Sequence, residues 1–325
     1  MTERGTNTAT VDKKAPFPFG GVVPIVVTPF TDDDHVDLDQ LGAEIDFLRA
    51  AGFRWAGLGY GSECARMGSE ELTQVTAFAS ARGNGELMIV GNAEMSSVVG
   101  GVEQLTNAQD SGAHAGMLRL RGFEGVEEGE LFDAIASVAQ QAGIPIVLQD
   151  ALQTGVSLSP RLLARVLSEI PQAIALKTEA PGGAAHKIEQ VISLATVPNV
   201  AIFGGAGGQD YPHELESGAI GSMPGPAFPE IFRAVGHLWD QGERSDALQM
   251  FARILPLIQL GNRDFDTFLY VQKVILIERG VLSTSNLRRP HRTLAKARIR
   301  REVQELLGAM HFFSLLNRCE ELLAH

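Results

Sequence analysis

The 325-residue sequence predicts an α/β protein built as a (β/α)8 TIM barrel with a C-terminal helical extension. Two patterns carry that reading. From Phe19 onward, short runs rich in Val and Ile alternate with longer segments of helical periodicity. The short runs are apolar throughout instead of alternating, as expected of parallel strands covered by helices. An open doubly wound sheet shares the same local units. Eight such units followed by helices alone make the closed barrel, of roughly 250 residues, the economical choice.

The first candidate strand is Val22 to Thr28, ending in the turn Pro29-Phe30. Leu38, Leu41, Ile45 and Leu48 then mark one face of a helix that runs to Ala51-Gly52. Further strands are expected at Trp55 to Leu58, Leu87 to Asn92, Gly116 to Leu120, Ile144 to Gln149, Ala173 to Lys177, Val200 to Phe203 and Ile220 to Met223. Between them lie helical patterns such as Glu70 to Arg82, Val99 to Ser111, Leu131 to Ala142, Pro160 to Leu167 and His186 to Leu194. Ser69 and Ser159 stand where N-caps belong, the second followed by proline. Past Ala227 only helical stretches remain, at Phe228 to Asp240, Ser245 to Gln259, Phe265 to Arg279 and Ala295 to Leu307. The expected organisation is a disordered, polar leader over 1–16, the barrel over 17–239 and the helical extension over 240–325.

Composition narrows the function classes. With 27 basic against 39 acidic side chains the net charge is −12, so the chain lacks the cationic excess that nucleic acid or an anionic membrane requires. The expected partner is a small molecule. Cys64 and Cys319 are too few for a disulfide framework, and no apolar run reaches the ~18 residues of a membrane span, so a cytoplasmic protein is expected. The eight histidines show no metal-ligand spacing, and no metal site is expected. Arg288 to Arg301 holds seven Lys and Arg and no acidic residue; a solvated helix face or a contact with an acidic neighbour accounts for it more simply than an anion-binding or partner surface.

In a barrel of this kind the reacting groups sit at the C-terminal ends of the strands. The sixth strand ends Ile174-Ala175-Leu176-Lys177-Thr178-Glu179, a lysine closing an apolar run. Desolvation disfavours an ammonium, and a neutral amine attacks carbonyls, so Lys177 is the best nucleophile candidate. Snorkelling or ion pairing is its structural alternative. Gly59-Tyr60-Gly61-Ser62-Glu63 offers backbone N–H groups to an anion. Gly204-Gly205-Ala206-Gly207-Gly208 lies where barrels often bind phosphate and could receive a distal substrate anion, although a loop built for tight turning explains it more simply. Cys64 has no nearby histidine to activate it and reads as a pocket or packing residue.

Gly20-Gly21, Thr28-Pro29-Phe30, Asp37, Gly59 to Glu63, Gly91 with Ser96-Ser97, Thr154-Gly155, Lys177, Gly204-Gly205 and Gly218 to Ser222 fall in the order of one group. Over Phe17 to Trp239 the chain resembles the dihydrodipicolinate synthase and N-acetylneuraminate lyase superfamily of Schiff-base aldolases. The resemblance implies an imine between Lys177 and the ketone of pyruvate or another 2-oxo acid, so that no separate cofactor is needed. It implies a carboxylate held by backbone groups near Tyr60 and Gly61, an aldehyde as second partner, and a homo-oligomer, a tetramer or dimer. The substrate-binding set it suggests is Thr28, Gly59, Gly61, Ser62, Gln149, Gly204, Gly205 and Ser222.

The departures are equally specific. In ungapped register with Thr154-Gly155, Leu148 stands where the family carries its proton-shuttling tyrosine, and Gly61 replaces the relay threonine. Gln153 replaces the arginine that binds the second substrate of dihydrodipicolinate synthases, and Leu120-Arg121-Gly122-Phe123 replaces an aromatic segment that reaches a neighbouring subunit. Dihydrodipicolinate synthesis itself is therefore not expected. Candidates for the missing acid/base are Tyr60, by its phenol, and Glu179, which shares a face with Lys177 if the strand persists; Gln149 and Asp150 adjoin the vacated position. The leading expectation is a Schiff-base lyase, aldolase or hydro-lyase. A 2-oxo acid binding protein without turnover is the alternative.

Overall fold

The computed structural model describes residues 19–151, 157–179 and 183–324. Eight parallel strands alternate with helices: β1 Gly21–Val22, α1 Leu38–Ala50, β2 Trp55–Gly57, α2 Ser69–Gly83, β3 Met88–Met95, α3 Val98–Asp110, β4 Ala115–Leu120 and α4 Glu128–Ala142. There follow β5 Ile146–Ala151, α5 Pro160–Glu169, β6 Ala173–Glu179, α6 Ala185–Leu194, β7 Ile202–Gly204, α7 Tyr211–Glu216, β8 Gly221–Ser222 and α8 Pro229–Asp240. The sheet runs β1-β8-β7-β6-β5-β4-β3-β2, and a parallel bridge from Ile25 to Gly57 brings its two ends together. The barrel class expected from the sequence is the one observed.

The differences lie at strand ends. The first strand forms a regular ladder over only two residues, because Pro24 has no N–H to donate; the chain beyond it stays tied to β8 and β2 through Ile25 N to Pro224 O and Gly57 N to Pro24 O, both 2.8 Å. β3, β5 and β6 run further toward the C-terminal face than their apolar stretches suggest, ending at Met95, Ala151 and Glu179. These added residues are polar or flank polar ones, so hydrophobicity marks them poorly. They supply the site.

Helix starts follow local chemistry. The Asp37, Ser97 and Ser159 side chains accept from the amides of Gln40, Gly100 and Leu162, each at 3.1 Å. Ser69, expected as a cap, is instead the first residue of α2, and Gly68 takes the cap position without a side-chain bond.

Two apolar layers hold the barrel. Inside, Phe19, Val23, Ile25, Trp55, Met88, Val90, Met117, Val147, Ala175 and Phe203 pack together, with the Phe19 ring 4.7 Å from Trp55 and 5.0 Å from Phe203. Outside, Leu118, Leu148 and Leu176 face the helices. The alternation sets the direction of each later residue on β4, β5 and β6.

The extension consists of α9 Arg244–Gly261, α10 Phe265–Glu278, α11 Lys296–Ala309 and α12 Phe312–Leu323, the last absent from the sequence reading. No helix among the described residues is long and apolar enough to cross a membrane. Lys273 of α10 is fully buried and pairs with Glu63 at 2.8 Å; Glu63 also takes Arg66 at 3.1 Å and the Arg288 amide at 3.0 Å. The basic run lies on acidic neighbours, Arg288 on Glu71 at 2.5 Å and Arg289 on Asp34 at 3.8 Å. Of the two simple readings of this run, a solvated face and an acidic contact, Arg288 and Arg289 show the second. It straps the extension across the β1 and β2 loops.

Removing Lys273 takes away the one fully buried cation on Glu63 and leaves that buried carboxylate with the partly exposed Arg66 and the Arg288 amide. Lys273→Met is expected to lower the urea unfolding free energy by about 3 kcal/mol, and adding Glu63→Gln to recover part of it. An unchanged urea midpoint for Lys273→Met would show that the pair does not anchor the extension.

Candidate active site

Lys177 points into the barrel, two residues beyond the interior Ala175, and is 5 % exposed. Because β6 continues through Glu179, the two side chains share a face, and Lys177 Nζ lies 3.1 Å from Glu179 Oε1. The Glu179 carboxylate is held at both oxygens: Gln149 Nε2 donates to Oε2 at 2.7 Å and the Ala206 amide to Oε1 at 2.9 Å. Burial pushes this carboxyl upward, but the Lys177 charge and the two donors outweigh it and leave it below the ordinary value. Glu179 is thus an oriented, ionised partner for the lysine.

Strand register explains why Gln149 reaches it. Arg119, Gln149, Lys177 and Phe203 are successive partners across β4, β5, β6 and β7. Leu148 packs in the outer layer, so the side chain that β5 presents beside Lys177 is Gln149. The strand Ile146–Ala151 contains no tyrosine. Asp150 turns away from the site, accepting from the Leu158 amide at 2.8 Å and pairing with Lys187 at 2.5 Å. Thr154, Gly155 and Gln153 lie outside the described residues.

The glycine-rich loop has a different use from the anion site considered for it. A Cβ on Gly204 would fall 1.7 Å from Glu214 Oε2, and one on Gly205 would fall 2.4 Å from Glu179 Cγ. The two glycines therefore let two buried carboxyl groups pack against one stretch of backbone. Glu214 is buried with Oε2 unpaired among the described residues. Burial first, then the nearby Asp210 and Glu179 charges, push it up to about 8, against the Gly205 amide and Lys177.

On the opposite side, the short turn Tyr60–Ser62 follows β2. The Ser62 hydroxyl donates to the Val26 carbonyl and accepts from the Gly59 amide at 3.1 Å, while Thr28 donates to the Ser62 carbonyl at 2.7 Å. These two hydroxyls, expected to contact substrate, pin the turn to the segment Val26–Thr28 that follows β1. The Tyr60 ring packs 4.1 Å from Phe265 and 5.3 Å from the Arg119 guanidinium. The geometry therefore places Glu179, and not Tyr60, in contact with Lys177. Ser222 is buried, its hydroxyl without a partner among the described residues.

The sequence reading gave the extension no place at the site, yet it roofs the mouth. Asn262 donates to the Ala206 carbonyl at 2.8 Å, and the Phe268 ring lies within 3.5 Å of where side chains on Gly61 and Gly207 would begin. A charged residue after a helix, Asn262-Arg263-Asp264, carries no signal of this role in one sequence. Cys64 is buried, its thiol pushed up to about 12 mainly by burial, and so is a packing residue. It borders a side cavity of about 280 Å³ that reaches Asn92, Glu94, Gln104 and Arg119 but not Lys177.

The chain is similar to proteins of one family. A family model described as the dihydrodipicolinate synthetase family matches residues 18–310. L-2-keto-3-deoxyarabonate dehydratase of Azospirillum brasilense is 30 % identical over 276 residues, 83 % of this chain and 88 % of the relative. 4-Hydroxy-tetrahydrodipicolinate synthase of Methanothrix thermoacetophila is 28 % identical over 245 residues, 74 % of this chain and 81 % of the relative. The crystal structure of dihydrodipicolinate synthase from Rhodopseudomonas palustris superposes with a TM-score of 0.82 at 25 % identity, over 89 % of this chain and 97 % of that one.

For Glu214 the sign of its pH effect is fixed. A carboxyl raised from 4.5 to about 8 on folding binds a proton that the unfolded chain has lost, so its contribution is full below 4.5 and declines as pH rises through 8. Glu214→Gln should therefore gain stability relative to the parent between pH 5 and 8 in paired urea titrations. A stability difference independent of pH would contradict this.

Proposed function

Since the chain belongs to the dihydrodipicolinate synthetase family, we propose that it is a Schiff-base lyase that dehydrates a 3-deoxy-2-oxo sugar acid through Lys177. The observation that carries this reading is the buried contact of Lys177 with the doubly anchored Glu179. At 3.1 Å, Glu179 is within proton-transfer reach of the amine. It accepts a proton from the ammonium, and the freed nitrogen bonds to the ketone carbon. The ketone oxygen takes one proton back from Glu179 and one from the attacking nitrogen and leaves as water, giving a protonated imine.

The imine withdraws electrons from the adjacent carbon, C3. Loss of a C3 proton yields the enamine, and its electron pair then expels the C4 hydroxyl, which leaves as water after protonation. Glu179 is the acid/base group nearest to this exchange. Gln149, donor to Glu179 and neighbour of Lys177, fixes the carboxylate where the family uses a phenol. Elimination, in preference to carbon–carbon cleavage, is supported by the relative named L-2-keto-3-deoxyarabonate dehydratase. Dihydrodipicolinate synthesis is disfavoured by Gln153, which leaves no arginine at the position that binds the second substrate.

The test is turnover of a panel of 3-deoxy-2-oxo pentonates and hexonates, followed by loss of substrate. Lys177→Ala should abolish it, and Glu179→Gln should lower kcat by about 10²-fold with a smaller change in KM. Dehydration that survives Lys177→Ala would refute the imine route. Retained kcat in Glu179→Gln would move the acid/base role elsewhere.

A further inference from the structure

Arg119 closes the inner face of β4 two residues beyond the interior Met117, and it is 2 % exposed. In strand register it stands beside Gln149, which stands beside Lys177. Two strand spacings separate the backbones of Arg119 and Lys177 by roughly 10 Å. The guanidinium also lies 5.3 Å from the Tyr60 ring, next to the turn Tyr60–Ser62. It therefore sits between that turn and the lysine row.

Its hydrogen bonding is incomplete. Arg119 Nη2 donates to Glu94 Oε2 at 2.5 Å, while Nε and Nη1 are buried with no acceptor among the described residues. Buried donors on a cation are costly to leave unpaired, so such atoms point to a ligand that completes them. The local charge has the matching sign. Glu94 is shared with Arg121 at 2.8 Å, which sets two guanidinium groups against one carboxylate. Cys64 adds no compensating charge, since burial keeps its thiol protonated. The side cavity beyond Arg119 is lined by Arg119 and Arg121 as well as by Glu94 and Glu103, so its charges balance and it offers an anion no net attraction, whereas the barrel face carries Lys177 in the same strand row.

We propose that Arg119 is the fixed cation that binds the carboxylate of the 2-oxo acid, beside the turn Tyr60–Ser62, and so aims the ketone carbon at Lys177. The inference rests on the imine reading of Lys177. It identifies a charged partner for the carboxylate where the sequence suggested backbone amides alone.

The decisive measurement compares pyruvate with pyruvamide, its neutral isostere, by calorimetric titration of the Lys177→Ala protein, where no imine forms. Adding Arg119→Met should weaken pyruvate by at least about tenfold, the worth of one charge-assisted hydrogen bond, and change pyruvamide less than about twofold. Arg119→Lys should recover part of the loss. Equal weakening of both compounds, or of neither, overturns the proposal; so does a loss confined to 2-oxoglutarate, which would place Arg119 at the far end of the substrate. If Arg119→Met does not fold, Glu94→Gln gives an independent reading. Freed of its carboxylate, Arg119 should then bind pyruvate more tightly with pyruvamide unchanged, and no difference overturns the assignment. These titrations do not depend on imine formation, so a failure of Lys177 to react with substrate is seen separately from a failure here.

Discussion

The contact between Lys177 and Glu179 organises the upper half of this barrel. It exists because β6 stays extended for two residues past the lysine, keeping both side chains on the inner face. A charged pair in so little water needs every remaining lone pair satisfied. Gln149 from β5 and the Ala206 amide after β7 do this for Glu179, so three neighbouring strands converge on one carboxylate. The arrangement holds an ionised carboxylate against the amine, as the proposed imine route requires.

The surrounding backbone is shaped by that carboxylate. Gly204 and Gly205 have no room for a side chain because Glu214 and Glu179 occupy the space. The two carboxyl groups differ in state: cation and amide donors keep Glu179 ionised, whereas burial among negative neighbours favours protonated Glu214. Above them, Asn262 and Phe268 join the β7 loop to the β2 turn, and the Glu63–Lys273 pair fastens α10 to that turn. The C-terminal helices thus take part in building the site.

Much of this was legible from residue order. The apolar strands gave the barrel, and a lysine ending an apolar run marked the candidate nucleophile. Glu179 was identifiable through the period of two along a strand. What local sequence could not show is register across strands. Ungapped matching to Thr154-Gly155 drew attention to Leu148, but the pleat turns Leu148 outward and Gln149 inward. Likewise Arg119 looks like an ordinary residue in Leu118-Arg119-Leu120 until its neighbours on β3 and β5 are known. The glycines of 204–208 read more simply as a tight turn than as an anion site, and neither reading names their use, because one sequence does not show the carboxyl groups for which Gly204 and Gly205 make room.

The central claim is that Lys177 forms an imine with a 2-oxo acid. Incubation with pyruvate and borohydride, then intact mass and peptide mapping, tests it most directly. The account predicts a single reduced adduct, located on Lys177 and absent from Lys177→Ala. No adduct across a panel of 2-oxo acids, or an adduct on another lysine such as Lys187, would contradict it.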